Sequence, residues 1–325
     1  MAMLLVVICT ALVFEYINGF HDSANAIATV VSTKVLSART AVIYAGCLDI
    51  TGALLGTHVA STIGQGIVDA GIVTQGVIFC ALLAAVIWNL VTWYLGIPSS
   101  SSHALIGGLI GAAVGRAGFG VVLMDGVTRK VLLPMLTSPL LGFCIGLGAM
   151  VGILWICRRA RLYVVNSWFR RLQLLSSGIM ALSHGSNDAQ KTMGIITLAL
   201  FSYGALESFK VPVWVVLLCA CTMGCGTMTG GLRIIRTMGD KMIKLKPVHG
   251  FAAETASASL VLTASHFGMP VSTTHIISTA IMGVGSTKGH RALNLSIIKN
   301  IVTAWVLTIP VCMAIAATLS FVLPL

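Results

Sequence analysis

Charge is what this chain has least of. Asp, Glu, Lys and Arg make up 9% of its 325 residues, and the mean hydropathy is +0.98, against roughly 25% charged residues in a soluble domain. No hydrophilic stretch is long enough to fold alone; the longest aqueous segment expected is 232–250, so a separate soluble domain is excluded. No C-x-x-C pair occurs among the nine cysteines. An odd count placed mostly in apolar segments argues against a disulfide framework. Cys219, Cys221 and Cys225 read as packing residues of a small-residue-rich span rather than metal ligands. There is no G-x-S-x-G nucleophile motif. An intramembrane hydrolase built on Ser102-His103 is disfavoured further, because adjacent residues at one helix start do not bring Oγ onto the imidazole.

What is there is apolar sequence in blocks long enough, at about 20 residues, to cross a bilayer. They lie at 2–20, 40–58, 73–96, 131–155, 172–183, 211–231, 251–268 and 301–324. Shorter Gly-rich apolar pieces at 21–33, 103–115, 189–203 and 275–285 follow polar motifs and fit half-helices or re-entrant segments. The expected fold is all-α, a polytopic integral membrane protein whose direct environment is the lipid bilayer. The N-terminal block lacks the basic region of a signal peptide and leads straight into a polar motif, so it reads as a span.

The net charge of +11 would suggest nucleic acid in a soluble protein. In a membrane protein it is a topology signal, and nucleic acid is not an expected partner. With both termini outside, fifteen Lys and Arg residues, from Lys34 and Arg39 to Arg291 and Lys299, fall on the cytoplasmic side with loop 232–250. Only Arg116, Arg129, Lys130 and Lys210 fall outside, as the positive-inside rule favours. A multi-pass protein of the cell membrane is expected.

Two pairs of motifs divide the chain. Asn18-Gly19-Phe20-His21-Asp22-Ser23-Ala24-Asn25 is answered by His184-Gly185-Ser186-Asn187-Asp188-Ala189-Gln190-Lys191, and Gly96-Ile97-Pro98-Ser99-Ser100-Ser101-Ser102-His103 by Gly268-Met269-Pro270-Val271-Ser272-Thr273-Thr274-His275. Polar motifs repeated in apolar sequence are the mark of a repeat-built transporter, with broken helices meeting near the membrane midplane. The expected organisation is a first repeat at 1–157, a basic cytoplasmic linker at 158–171 and a second repeat at 172–325, the two inverted in the membrane.

Pro followed by hydroxyl residues suits a helix start, with Ser or Thr as the cap. The first amides there lack helical acceptors and face the positive end of the dipole, which makes an anion site. A tetrahedral oxyanion fits between Ser100, Ser101 and Ser102 on one side and Ser272, Thr273 and Thr274 on the other. Carboxylates inside the membrane mark ion or proton sites. Asp22 and Asp188, beside the amides of Asn25, Asn187 and Gln190, offer the oxygen ligands a hard cation prefers. Glu15, Asp49 and Glu254 are further acidic residues in or beside spans; Asp49 has no counterpart in the other half and ranks lower. His21, His103 and His275 are candidates for a gate or proton relay, although an interhelical hydrogen bond is the expected role of His103 and His275. Gly107, Gly111 and Gly115, with Thr279 and Gly283 in the second half, form small faces that would let the broken helices pack closely.

At these residues the chain resembles the PiT family of inorganic phosphate transporters, which carries paired G-[AS]-N-D-x-x-[NK]-like motifs and paired P-x-[ST]-[ST]-[ST]-H motifs, one of each per half. The resemblance covers the whole chain. It implies an inverted-repeat membrane fold, often a homodimer, that is no enzyme and has no cofactor. It carries inorganic phosphate as a secondary active symporter with Na+ or H+ by alternating access. Carried over by position, Ser100–Ser102, Ser272–Thr274, Gln190 and Lys191 would face phosphate. Asp22, Asn25, Asn187, Asp188 and Glu254 would serve the coupling ion, with sodium possible at Asp22, Asn25 and Asp188. Glu254 sits in a similar G-F-x-x-E-T-A-S-A segment. The first motif departs from the family with His21 where Asn is usual, and the second has Lys191 where the first has Asn25. Lys191 is therefore either a built-in cation or a charge that snorkels to the interface. Transport of another oxyanion such as sulfate, or an ion channel, are the alternatives.

Overall fold

The computed structural model describes residues 1–68 and 73–323. Residues 69–72 of the expected first repeat and 324–325 of the second, including the end of the last expected span, lie outside the described residues. The described chain is helical, with a single isolated bridge between Val68 and Val122. In order, the helices are α1 (Ala2–Ser32), α2 (Ala38–Ala53), α3 (His58–Gln65), α4 (Gln75–Leu95), α5 (Ser101–Ala117), α6 (Met124–Val127), α7 (Leu133–Ile156), α8 (Leu162–Ser202), α9 (Val213–Thr229), α10 (Leu232–Arg236), α11 (Pro247–His266), α12 (Thr273–Ser286) and α13 (Leu295–Val322).

Among the described residues, four helical segments are long and apolar enough to cross a membrane: α1, α4, the run from Met124 to Arg159, and α13. The count is six if α2 with α3, bent by 75°, and α9 with the helix from Leu232 to Lys241, bent by 59°, each make one span. α8, with 41 residues, and α11, with 20, are also long but more polar, because they carry the buried groups described below.

Two expectations about breaks are corrected. The Asp22 and Asp188 motifs do not interrupt their helices: α1 runs unbroken for 31 residues and α8 for 41. Neither contains proline, so every interior N–H keeps its i→i−4 acceptor, and the segments 21–33 and 189–203 are not half-helices. The bends fall instead at Leu54–Thr57 and at Gly230–Gly231, at the ends of stretches expected to be plain spans. Leu232–Lys241, expected to be aqueous, is helical, with Ile234, Ile235 and Met238 buried. Likewise α8 begins at Leu162, inside the stretch expected to be a linker.

Packing comes in matched pairs. α5 lies against α13 as α12 lies against α7; α4 against α1 as α11 against α8; α2 against α8 as α9 against α1. The motif glycines make these approaches possible. A Cβ at Gly19 would sit 2.3 Å from the Met223 carbonyl of α9, and one at Gly185 would sit 2.2 Å from the Asp49 carbonyl of α2. The small faces of α5 and α12 meet scaffold helices rather than each other, with Gly111 against Met313 of α13 and Gly283 against Phe143 of α7.

The apolar core is divided in two. One cluster takes residues 4–17 of α1 and 189–200 of α8; the other takes 24–30 of α1 and 169–181 of α8. The polar motifs lie between them, as a layer at mid-depth. Leu4 and Ala316 belong to the first cluster, so both chain ends lie at one face. At the opposite face the Lys34 carbonyl accepts from Arg170 (3.1 Å) and the Lys244 carbonyl from Lys288 (2.7 Å).

Candidate functional site

The mid-depth layer is built from the starts of α5 and α12 and from the middles of α1 and α8. Ser100 and Ser272 cap the two short helices, their Oγ atoms each accepting an amide three residues on, from His103 and His275, at 3.2 Å. Pro98 and Pro270 precede the caps by two residues, so proline acts by keeping the approach extended rather than by occupying the first turn. Trp305 of α13 pins the first approach by donating Nε1–H to the Pro98 carbonyl (3.1 Å).

Side chains from the four helices interlock here, and all are buried. Asn25 donates Nδ2–H to Thr273 Oγ1 (3.1 Å) and Thr274 Oγ1 (2.9 Å). Those hydroxyls then face Asp188 Oδ2 (3.3 Å) and Asp22 Oδ1 (3.5 Å) respectively. Ser101 Oγ lies against Asn18 Oδ1 (2.7 Å) and Asp22 Oδ2, so one proton serves two acceptors. His21 donates Nδ1–H to Asp22 Oδ1 at 2.7 Å.

Lys191, which occupies Asn25's place in the second motif, does not snorkel. It is 2% exposed, and its three protons meet three acceptors: Asp188 Oδ1 (2.6 Å), the Val271 carbonyl (3.1 Å) and Ser102 Oγ. Asn25 of α1 thus reaches the start of α12, and Lys191 of α8 reaches the start of α5.

Asn18, His184 and Thr227 belong to the layer and are not among the expected site residues. His184 donates Nδ1–H to Asp49 Oδ1 (3.0 Å) and places Nε2 3.6 Å from Asp188 Oδ2. Thr227 secures Asp49 from the other side (2.6 Å). Asp22, His184 and Asp188 each offer a ligand atom within 4.8 Å of the others, so the cation-competent cluster includes an imidazole as well as the two expected carboxylates. The i, i+4 spacing of His184 and Asp188 was a usable signal, because such residues share a helix face.

Other expected residues lie apart. Gln190 accepts from the Val59 amide (2.8 Å) and donates to the Ser186 carbonyl (2.6 Å); it fixes the start of α3. Asn187 donates to Ser265 Oγ (2.9 Å) and the Met269 carbonyl (3.3 Å), holding the turn before α12. Glu254 is fully buried one helical turn from Asn25's level, taking bonds from Thr29, Ser176 and Gln173 Nε2 (3.1 Å). Among the described residues, His103 and His275 make no side-chain hydrogen bond between helices. Their rings pack edge to face at 4.8 Å, and both nitrogens of His275 lack a protein partner.

Residues 18–316 match the model of the family described as "Phosphate transporter family". The chain belongs to the phosphate transporter family. This family member is 48% identical over 97% of its length to a "Probable low-affinity inorganic phosphate transporter" of Rhizobium meliloti (strain 1021), covering 94% of that protein. It is 44% identical over 98% of its length to a protein of the same description from Bacillus subtilis (strain 168), covering 96% of it. Among solved structures it is similar to "The sodium-dependent phosphate transporter", with a TM-score of 0.89, 25% identity and 99% of each chain covered. The family is one of transporters, not enzymes, and the long apolar helices of this chain suit a multi-pass membrane protein.

Proposed function

We propose that this transporter carries inorganic phosphate across the cell membrane by cation symport, through alternating access at the mid-depth layer. One observation carries the reading: the capped starts of α5 and α12 converge on Asn25 and Lys191, Asn25 joining Thr273 and Thr274, and Lys191 joining Ser102, to the opposite half. Ser101, Ser102, Thr273 and Thr274, with the first amides of both helices, supply donors for a tetrahedral anion. Asp22, Asp188 and His184 supply the cation or proton that must cross with it, and Lys191 stands in for one cation. The matched helix packing supports two inverted repeats, 1–157 and 172–325. The gathering of basic residues opposite the chain ends supports cytoplasmic placement of the segment 232–250, helical over its first ten residues, and extracytoplasmic termini. A homodimer is proposed from the family resemblance.

The test is uptake of labelled phosphate and of labelled sulfate by vesicles containing the purified protein, under an imposed sodium gradient and, separately, an imposed proton gradient. Concentrative phosphate uptake driven by one gradient is expected. Preference for sulfate, or uptake that never exceeds equilibrium, would refute the proposal.

A further inference from the structure

A second anion-binding feature lies away from the mid-depth layer, at the membrane face that gathers the basic residues. There the end of α7, the start of α8, the start of α11 and the turn after α12 enclose a cavity of about 420 Å3. Three cations, Arg158, Lys246 and Lys288, line it, and among the described residues none of the three has a carboxylate within 4.0 Å. Partial burial and the neighbouring Lys246 hold the Lys288 ammonium below the usual lysine range, as expected of like charges with no counterion. His249 lines the same cavity, and its Nδ1 accepts the Lys246 N–H at 2.9 Å, which leaves Nε2–H as a further donor. The rest of the lining is largely apolar and includes Met150, Leu154, Leu162 and Val165.

The surroundings fix its depth. Trp155, Tyr163 and Trp168 are exposed beside it, and the Arg158 guanidinium lies 5.1 Å from the centre of the Trp155 ring. Exposed aromatic rings interleaved with Arg mark the headgroup level of a bilayer. A cavity there, lined by both cations and alkyl side chains, suits a lipid, which has an anionic headgroup and apolar chains.

We propose that this cavity binds an anionic phospholipid, its phosphate headgroup held by Arg158, Lys246 and Lys288 and its acyl chain lying along Leu154, Leu162 and Val165. Basic pockets between helices at this face are a general solution for such headgroups. The lipid would bridge the end of α7 to the starts of α8 and α11, and α8 carries Asp188 and Lys191. The inference rests on the membrane fold and not on the identity of the transported anion.

The test is lipid retention. Purified full-length protein is equilibrated with phosphatidylcholine micelles containing a minority of phosphatidylglycerol, and retained lipid is identified by native mass spectrometry. The wild type should retain phosphatidylglycerol in preference to phosphatidylcholine. Arg158→Gln with Lys288→Gln should lower that retention about tenfold or more, whereas Arg158→Lys with Lys288→Arg should keep it. If the charge-removing pair fails to fold, Lys288→Gln alone, in the turn after α12, should still lower retention severalfold. Millimolar inorganic phosphate should not displace the lipid. Equal retention of both lipids, retention unchanged by charge removal, or displacement by inorganic phosphate would each overturn the proposal; the last would reassign the cavity to the free anion.

Discussion

Lys191→Asn converts the second motif to the amide type of the first, and its consequences can be worked from the contacts. The substitution removes an ammonium 2.6 Å from Asp188 Oδ1 and leaves that carboxylate with Thr273 at 3.3 Å and His184 Nε2 at 3.6 Å. Removing one partner of a buried ion pair costs about 3–5 kcal/mol. A cation that binds the folded state at a hundred times its Kd returns about 2.7 kcal/mol, so sodium can offset most of the loss if the vacated place accepts it. The assay is thermal unfolding of purified wild type and variant in sodium and in choline salts, paired with phosphate uptake at several sodium concentrations and pH values. The variant should unfold at lower temperature in choline, recover largely in sodium, and respond to sodium more than the wild type does. Its uptake should gain sodium dependence or be lost. A variant with the unfolding temperature, rate, pH profile and sodium response of the wild type would refute the role of Lys191 as a built-in cation.

Asp22→Asn and Asp188→Asn should each preserve expression and fold yet abolish gradient-driven accumulation, read as concentrative uptake in vesicles; normal accumulation by either variant would remove that residue from the coupling site. Gly185→Ala drives a Cβ to 2.2 Å from the Asp49 carbonyl. It should destabilise the protein by about 1–3 kcal/mol and lower uptake through displacement of the Asp49–His184 pair. An unfolding temperature equal to the wild type's would show that α2 gives way there.

What could be read from sequence follows from how local each signal is. The starts of α5 and α12 were legible because caps and preceding prolines act within a few residues, and the structure places both helix starts at the hydroxyl runs. The course of α1 and α8 was not legible, because a polar motif looks like a break until its partners are known. In the fold, Asn18, Asp22, His184 and Asp188 each bond a side chain of another helix and the backbone ladder survives. Gly230-Gly231 was a signal for the second bend that was read only as the end of a span, while the first bend carries only Gly56. Within the motifs, neighbours in sequence are not all neighbours in space. Lys191 and Asn25 stand three positions after their aspartates and do face the same side. Gln190 stands two positions after Asp188 and Asn187 one before, and both turn to other helices. Asp49 had no repeat partner to recommend it, and only the approach of α2 at Gly185 brings it to His184.

The central claim is that phosphate is held between the two capped helix starts, and binding of labelled phosphate to purified protein tests it most directly. Thr273→Val with Thr274→Val removes two hydroxyls at nearly constant volume, in a site where each unmatched polar group costs about 1–3 kcal/mol. The account predicts that phosphate affinity falls about tenfold or more while the unfolding temperature without phosphate stays near that of the wild type. Unchanged affinity in a folded double variant would contradict it and place the anion elsewhere.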